Sequence, residues 1–193
     1  MSARAEVERR RTELVGTLRG AVLEVGAGRG ANFSAMGPGV TWIGLEPDAR
    51  RCIELAANAR RHGHDTPPLQ ATCEAIPLET DSVNAVLGTI VLCSVDDPDR
   101  ALAEIARVMR PGGIYVFAEH VAAPRGTMTR RLQQFATPLT RRFDHGCNPA
   151  RDTAETLRTS PLTVLDLDVF ELPVGLGVTV PFMVGRATLA DPL

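Results

Sequence analysis

The stretch Glu24-Val25-Gly26-Ala27-Gly28-Arg29-Gly30-Ala31-Asn32 sets three glycines two residues apart between an acid and an amide. Glycines at that density admit positive φ and let the backbone approach a ligand with no Cβ in the way, so such a loop suits a flat, polar molecule. Gly26, Gly28 and Ala31 also satisfy the G-x-G-x-x-G/A pattern of dinucleotide sites, and Glu46 lies 20 residues beyond Gly26, where an acid that accepts from ribose hydroxyls belongs. Followed by Pro47 at the end of a strand, Glu46 is well placed to accept both hydroxyls at once. The glycines alone leave a dinucleotide and other adenosine-bearing ligands open.

Glu24 separates these ligands. A carboxylate just before the glycines repels a pyrophosphate but attracts the ammonium of a methionine moiety, which favours S-adenosylmethionine (SAM). Two further segments agree. Ala71-Thr72-Cys73-Glu74-Ala75-Ile76-Pro77-Leu78 resembles the A-E-x-L-P segment that SAM-dependent methyltransferases use beside adenine. The run from Glu104 to Gly113 matches their E-x-x-R-V-L-R-P-G-G signature. Ile105, Val108 and Met109 within it follow helical spacing and its glycines turn the chain into the next strand, so its role reads as structural.

These groups need a frame that brings them to one edge. Residues 4–19, rich in Arg, Glu and Leu, read as an amphipathic helix closed by Gly20, and 21–25 as a first strand ending in Gly26. A short helix from about Ala31, a strand over 41–45 and a long helix over 48–61 follow. Residues 69–72 form a weak third strand, and the apolar, β-branched run 83–92 a buried central one. A helix over 98–110 takes Asp96 or Asp97 as N-cap and stops at Pro111-Gly112-Gly113. Beyond it come a fifth strand over 114–119, a broken amphipathic helix over 127–143, and closing strands over 162–171 and 181–189. Strands alternating with helices give right-handed crossovers and a parallel α/β sheet, with ligands at the carboxyl ends of the strands.

Several segments together resemble the methyltransferase-like thiol S-methyltransferases and their short bacterial relatives. They are Gly30-Ala31-Asn32-Phe33, Ile90-Val91-Leu92-Cys93-Ser94-Val95, Glu119-His120-Val121-Ala122-Ala123, and Gly146-Cys147-Asn148 followed by Arg151-Asp152-Thr153. The similarity runs over most of residues 20–188. It implies the class I methyltransferase fold: a Rossmann-like, seven-stranded, mostly parallel sheet with helices on both faces and an antiparallel strand near one edge. It also implies SAM as cofactor, held by Glu24, Gly26, Ala27, Gly28, Gly30, Asn32, Glu46, Pro47, Thr72, Cys73, Glu74, Thr89 and Ile90. The chain departs from the family where G-A-G-R-G replaces the usual G-C-G-T-G, where Thr72 replaces an acid beside adenine, and in lacking a hydrophobic N-terminal anchor.

The reaction expected is SAM-dependent methylation of a small apolar molecule, with a thiol as first choice. Methyl transfer is an in-line displacement, so alignment within about 3–3.5 Å and exclusion of water matter most. A thiol of pKa about 8.5 is a few per cent thiolate near neutral pH, so forgoing a base costs on the order of 2 kcal/mol, well within what orientation supplies. His120, after the fifth strand, is the candidate base, or else a hydrogen-bonding wall of the pocket. His145, Cys147 and Asn148 lie before the last helix and either close over the acceptor or form a plain connecting loop. N- or O-methylation of a lipid or natural product is the alternative; an NAD-dependent oxidoreductase and a non-catalytic SAM-binding protein are more distant readings.

Length and charge bound the rest. The 193 residues fit one domain, 1–193, in which 124–155 covers the acceptor. A formal charge of −2 offers no basic excess for nucleic acid, which leaves a small-molecule partner. No apolar run approaches the roughly 20 residues of a membrane span, and the charged N-terminus lacks a secretory pattern. Cys52, Cys73, Cys93 and Cys147 show no C-x-x-C spacing, so the expectation is reduced thiols, no metal and a cytoplasmic setting. Met128, Leu132, Phe135, Leu139 and Phe143 make an apolar helix face backed by arginines, for core packing first and then a substrate lid, a partner surface or a peripheral membrane contact.

Overall fold

Alternate side chains of a strand face opposite sides of its sheet, and here that alternation decides which helix packs where. The computed structural model describes residues 1–143, 146–175 and 177–189. Its strands are β1 (Gly20–Val25), β2 (Val40–Leu45), β3 (Val83–Thr89), β4 (Met109–His120), β5 (Leu162–Gly175) and β6 (Val178–Leu189). They form one sheet in the order β2-β1-β3-β4-β6-β5, parallel except for β6, which runs antiparallel to both neighbours. The helices are α1 (Ala3–Gly16), α2 (Ala49–Arg61), α3 (Pro98–Val108), α4 (Met128–Phe143) and α5 (Thr153–Thr159).

Leu23, Val25, Val86, Tyr115 and Phe117 pack with Leu102 and Ile105 of α3 and Leu157 of α5. Val22, Leu87, Val116 and Ala118 turn to the opposite side and meet Leu14 and Val15 of α1. Trp42 stands in register with Val22 and packs on Leu55 and Ala59 of α2, which places α2 on the α1 side. Helices thus cover both faces, as the α/β reading expects, and the carboxyl ends of β1, β2, β3 and β4 share one edge.

Several expectations need correction. The weak third strand is a lone parallel bridge between Leu45 and Leu69, so the described sheet has six strands, not seven. Pro67 and Pro68 just before it have no N–H to extend the ladder. The short helix after the glycines is a 3₁₀ turn, Phe33–Ala35. The central strand stops at Thr89 rather than 92, because Ile90 adopts φ 58°. Helix α3 stops at Val108, because Met109 is already extended and pairs with Val83. Helix α4 runs unbroken through Pro138.

Helix α4 also faces the other way from its expected packing. Met128, Leu132, Phe135, Leu139 and Phe143 are exposed, while Arg130 and Gln133 are buried. Gln133 accepts from the Ala123 N–H (2.8 Å) and donates to the Val121 carbonyl (3.0 Å), replacing strand partners for the backbone that leaves β4. Arg130 donates to both Asp152 oxygens, at 2.8 and 3.0 Å, and so ties α4 to the start of α5. Polar satisfaction of chain just past the sheet, rather than apolar burial, sets the orientation of α4.

Arg130 holds the Asp152 carboxyl below its ordinary 3.8, so the pair stabilises the fold above that pH and its contribution fades as pH falls through the lowered value. Asp152→Asn is expected to cost about 1–2 kcal/mol at neutral pH, less than a fully buried pair would because Asp152 is 42% exposed. Urea unfolding of both proteins checks this, with the difference shrinking at acid pH.

Candidate functional site

The chain leaves β1 through the glycine loop, which is held from beneath. Glu24, 1% exposed, accepts from Asn32 Nδ2 and from Trp42 Nε1, both at 2.7 Å. Asn32 in turn accepts from Arg11 of α1 and donates to Thr89 Oγ1 at 3.2 Å. Burial raises the Glu24 pKa, opposed by Asn32, Trp42 and the positive charge of Arg11. Both Glu24 oxygens are therefore engaged below the loop. A Cβ at Gly26 would meet Val91 Cγ2 at 2.8 Å and one at Gly30 would run into the Phe33 ring, so those two positive-φ positions have no room for side chains. At Gly28 a Cβ would meet only the Gly26 carbonyl oxygen, at 3.9 Å.

Above the loop, Glu46 directly follows β2 and is 2% exposed. One of its oxygens accepts from the Gly28 N–H (3.0 Å) and the other from the Asp48 N–H (3.1 Å). Each keeps lone-pair capacity for another donor, and the carboxylate is already fixed in place. A cavity of about 340 Å³ opens beside it, within the usual range for small-molecule sites. Gly26, Glu46, Pro47, Thr72, Cys73, Glu74 and Ile90 line it. Ala27, Gly28 and Gly30 continue the loop from Gly26, and Thr89 meets Asn32 behind Ile90.

The chain at Ile90 is held by a group that the sequence reading gave no role, Glu119 of β4. Ile90 is β-branched yet has φ 58°, a strained conformation that places its side chain at the cavity. Its N–H donates to the Ala118 carbonyl (2.8 Å), and the next two, of Val91 and Leu92, donate to Glu119 Oε1 at 2.9 and 3.1 Å. Burial pushes the Glu119 carboxyl up to about 8. An acid inside the apolar run of the fifth strand was the available signal. The 72–78 segment is clamped likewise: Glu104 accepts from the Ile76 N–H (2.9 Å), and Arg107 donates to the carbonyls of Ile76 and Leu78 at 2.9 and 2.8 Å. Arg51, Ser94, Val95 and Asp96 also line the cavity, although the sequence reading gave them no part in holding the cofactor.

His120 meets Cys147, which Asn148 follows in the chain, but none of the three is among the residues that line that cavity. His120 Nδ1 lies 3.9 Å from Cys147 Sγ, which lies 3.6 Å from Cys93 Sγ. The Phe182 ring stands edge-on to His120, and the Asn148 N–H donates to the Cys93 carbonyl at 2.9 Å. His145 lies outside the described residues.

A methyltransferase domain model matches residues 23–117, from β1 to β4. Human thiol S-methyltransferase TMT1A is 35% identical over 169 residues, covering 86% of this chain and 69% of that protein. Human TMT1B is 31% identical, over 94% of this chain and 79% of its own. Among solved structures, YcgJ of Bacillus subtilis superposes with a TM-score of 0.76 at 16% identity, over 96% of this chain and all of that one. A geranyl diphosphate methyltransferase in complex with SAM gives 0.74 at 17% identity, over 96% of this chain and 85% of that one. The structures support the fold and the sequence relatives the family: the chain belongs to the thiol S-methyltransferases, and it is a methyltransferase.

Proposed function

We propose that the cavity at the carboxyl edge binds SAM and that the chain transfers its methyl group to the thiol of a small apolar molecule. The observation that carries this reading is Glu46, a buried carboxylate fixed by two backbone N–H groups at the wall of a cavity that also includes the glycine loop and the 72–74 segment. In this reading Glu46 and Pro47 hold the ribose. Gly26, Ala27, Gly28 and Gly30 pass close to the methionine part, with Glu24 and Asn32 supplying negative charge and rigidity beneath. Thr72, Cys73 and Glu74 border the base, and Thr89 and Ile90 shape the floor.

SAM supplies an electrophilic methyl on a sulfonium; the chain has to orient the acceptor and exclude water. The thiolate sulfur forms the new bond as the sulfonium C–S bond breaks, and the thiol proton goes to solvent. We place His120, Cys147 and Asn148 at the acceptor end, with 124–155 as its cover within one domain, 1–193, and His145 on the same segment by sequence. His120 already packs against Cys147 and Phe182, which fits a wall better than a base. The proposed setting is cytoplasmic, as fits four free cysteines, and the proposed partner is a small molecule rather than nucleic acid. Among the described residues no helix is long and apolar enough to cross a membrane. The exposed apolar face of α4, with Arg131, Arg141 and Arg142 beside it, favours a second use as a peripheral contact with anionic lipid.

Three measurements test this. Incubation with SAM and matched panels of thiols, amines and phenols is expected to give methylated thiols by mass spectrometry; methylation confined to amines or phenols would replace the thiol by the N- or O-acceptor. Glu46→Ala is expected to weaken SAM binding in calorimetry by about 1.5–3 kcal/mol with the fold intact. His120→Ala is expected chiefly to raise the KM for a thiol at all pH values. A loss of about 10²–10⁴ in kcat, rescued as pH rises, would instead make His120 the general base.

A further inference from the structure

We propose that Cys93, His120 and Cys147 form a three-ligand site for one thiophilic divalent cation, best matched by zinc, which ties the loop after β3 to the loop before α5. Sequence spacing speaks only to ligands near each other along the chain, whereas the fold gathers these three from residues 93, 120 and 147. Their Sγ and ring-nitrogen atoms all lie within 4.8 Å of one another.

Two of the separations lie close to those of tetrahedral coordination. With Zn–S near 2.3 Å and Zn–N near 2.0–2.1 Å, tetrahedral angles put two sulfurs about 3.8 Å apart and a sulfur and nitrogen about 3.6 Å apart. The observed Sγ–Sγ and Sγ–Nδ1 distances are 3.6 and 3.9 Å. Little movement separates this arrangement from a coordination shell.

Charge and burial agree with the geometry. Cys93 and Cys147 are buried and His120 half-buried. Zinc displaces one proton from each thiol, and the resulting pair of thiolates neutralises the ion, as a site away from water requires. Two sulfurs and an imidazole select a soft or borderline metal over magnesium or calcium. Three protein ligands leave a fourth position for a further ligand. The elements joined are those against which the 146–152 loop already docks, through Asn148 to the Cys93 carbonyl and Arg151 to those of Leu92 (2.7 Å) and Val95 (2.5 Å). The site does not depend on the acceptor being a thiol.

The test uses the full chain, reduced and stripped with chelator, then titrated anaerobically with zinc against a chromophoric competitor and separately with cobalt(II). We expect one equivalent of zinc, and a thiolate-to-cobalt charge-transfer band in the unsubstituted protein. Cys93→Ser and Cys147→Ser, checked as folded by circular dichroism, should lose more affinity than the roughly 10–100-fold typical for losing an outer hydrogen-bonding partner of a metal ligand. Cys52→Ser, which changes a thiol outside the cluster, should bind as the parent does. Absence of the cobalt band in the parent, equal zinc affinity in Cys147→Ser, or a Cys93–Cys147 disulfide forming in air while the reduced protein takes up no zinc would each overturn the proposal.

Discussion

A carboxylate buried under the glycine loop is the constraint on which the rest of this structure depends. Glu24 sits in the sheet with 1% exposure, and taking it from water carries a large penalty unless donors surround it. Asn32 and Trp42 provide them. Through those two residues the carboxylate joins five pieces of chain: β1, which carries it; the end of the loop, at Asn32; β2, at Trp42; α1, through Arg11; and β3, through Thr89. The loop's path, its distance from β2 and the placement of α1 are thereby one linked problem with one solution.

The cavity follows from that solution, because the same loop positions Gly28, whose N–H helps hold Glu46 in place. Acids from distant parts of the chain do the corresponding work elsewhere on the edge. Glu119 of β4 holds the backbone past the strained Ile90, and Glu104 with Arg107 of α3 holds residues 76–78. Each accepts from backbone N–H groups of irregular chain beside the cavity. Irregular backbone there is stable because carboxyl oxygens accept from its N–H groups; burial pushes Glu119 up to about 8, so below that pH it accepts mainly as a neutral acid, whereas Arg107 holds Glu104 low and charged.

The sequence made much of this legible. Gly26, Gly28 and Gly30 announced a tight loop, and Glu46 followed at the spacing a ribose acid requires. The Glu104 to Gly113 signature was read as structural, and its Glu and Arg indeed clamp backbone rather than face the cavity. What stayed hidden was tertiary. Periodicity could not show that α4 turns Gln133 and Arg130 inward, because the need there is to satisfy polar backbone near residues 121–123, which no local pattern records. The left-handed turn at Ile90 was masked by a β-branched run that reads as strand through residue 92. The meeting of Cys93, His120 and Cys147 depends on two loops converging on the end of β4, and sequence spacing carries no trace of it.

A crystal structure of the full chain with S-adenosylhomocysteine tests the central claim most directly, since it places a ligand against every wall at once. The account predicts both ribose hydroxyls on the Glu46 carboxylate, the base against residues 72–74, and the amino-acid part against the Gly26–Gly30 loop. Its sulfur should face the His120 end of β4. A ligand bound elsewhere, or one whose ribose leaves Glu46 untouched, would contradict the account.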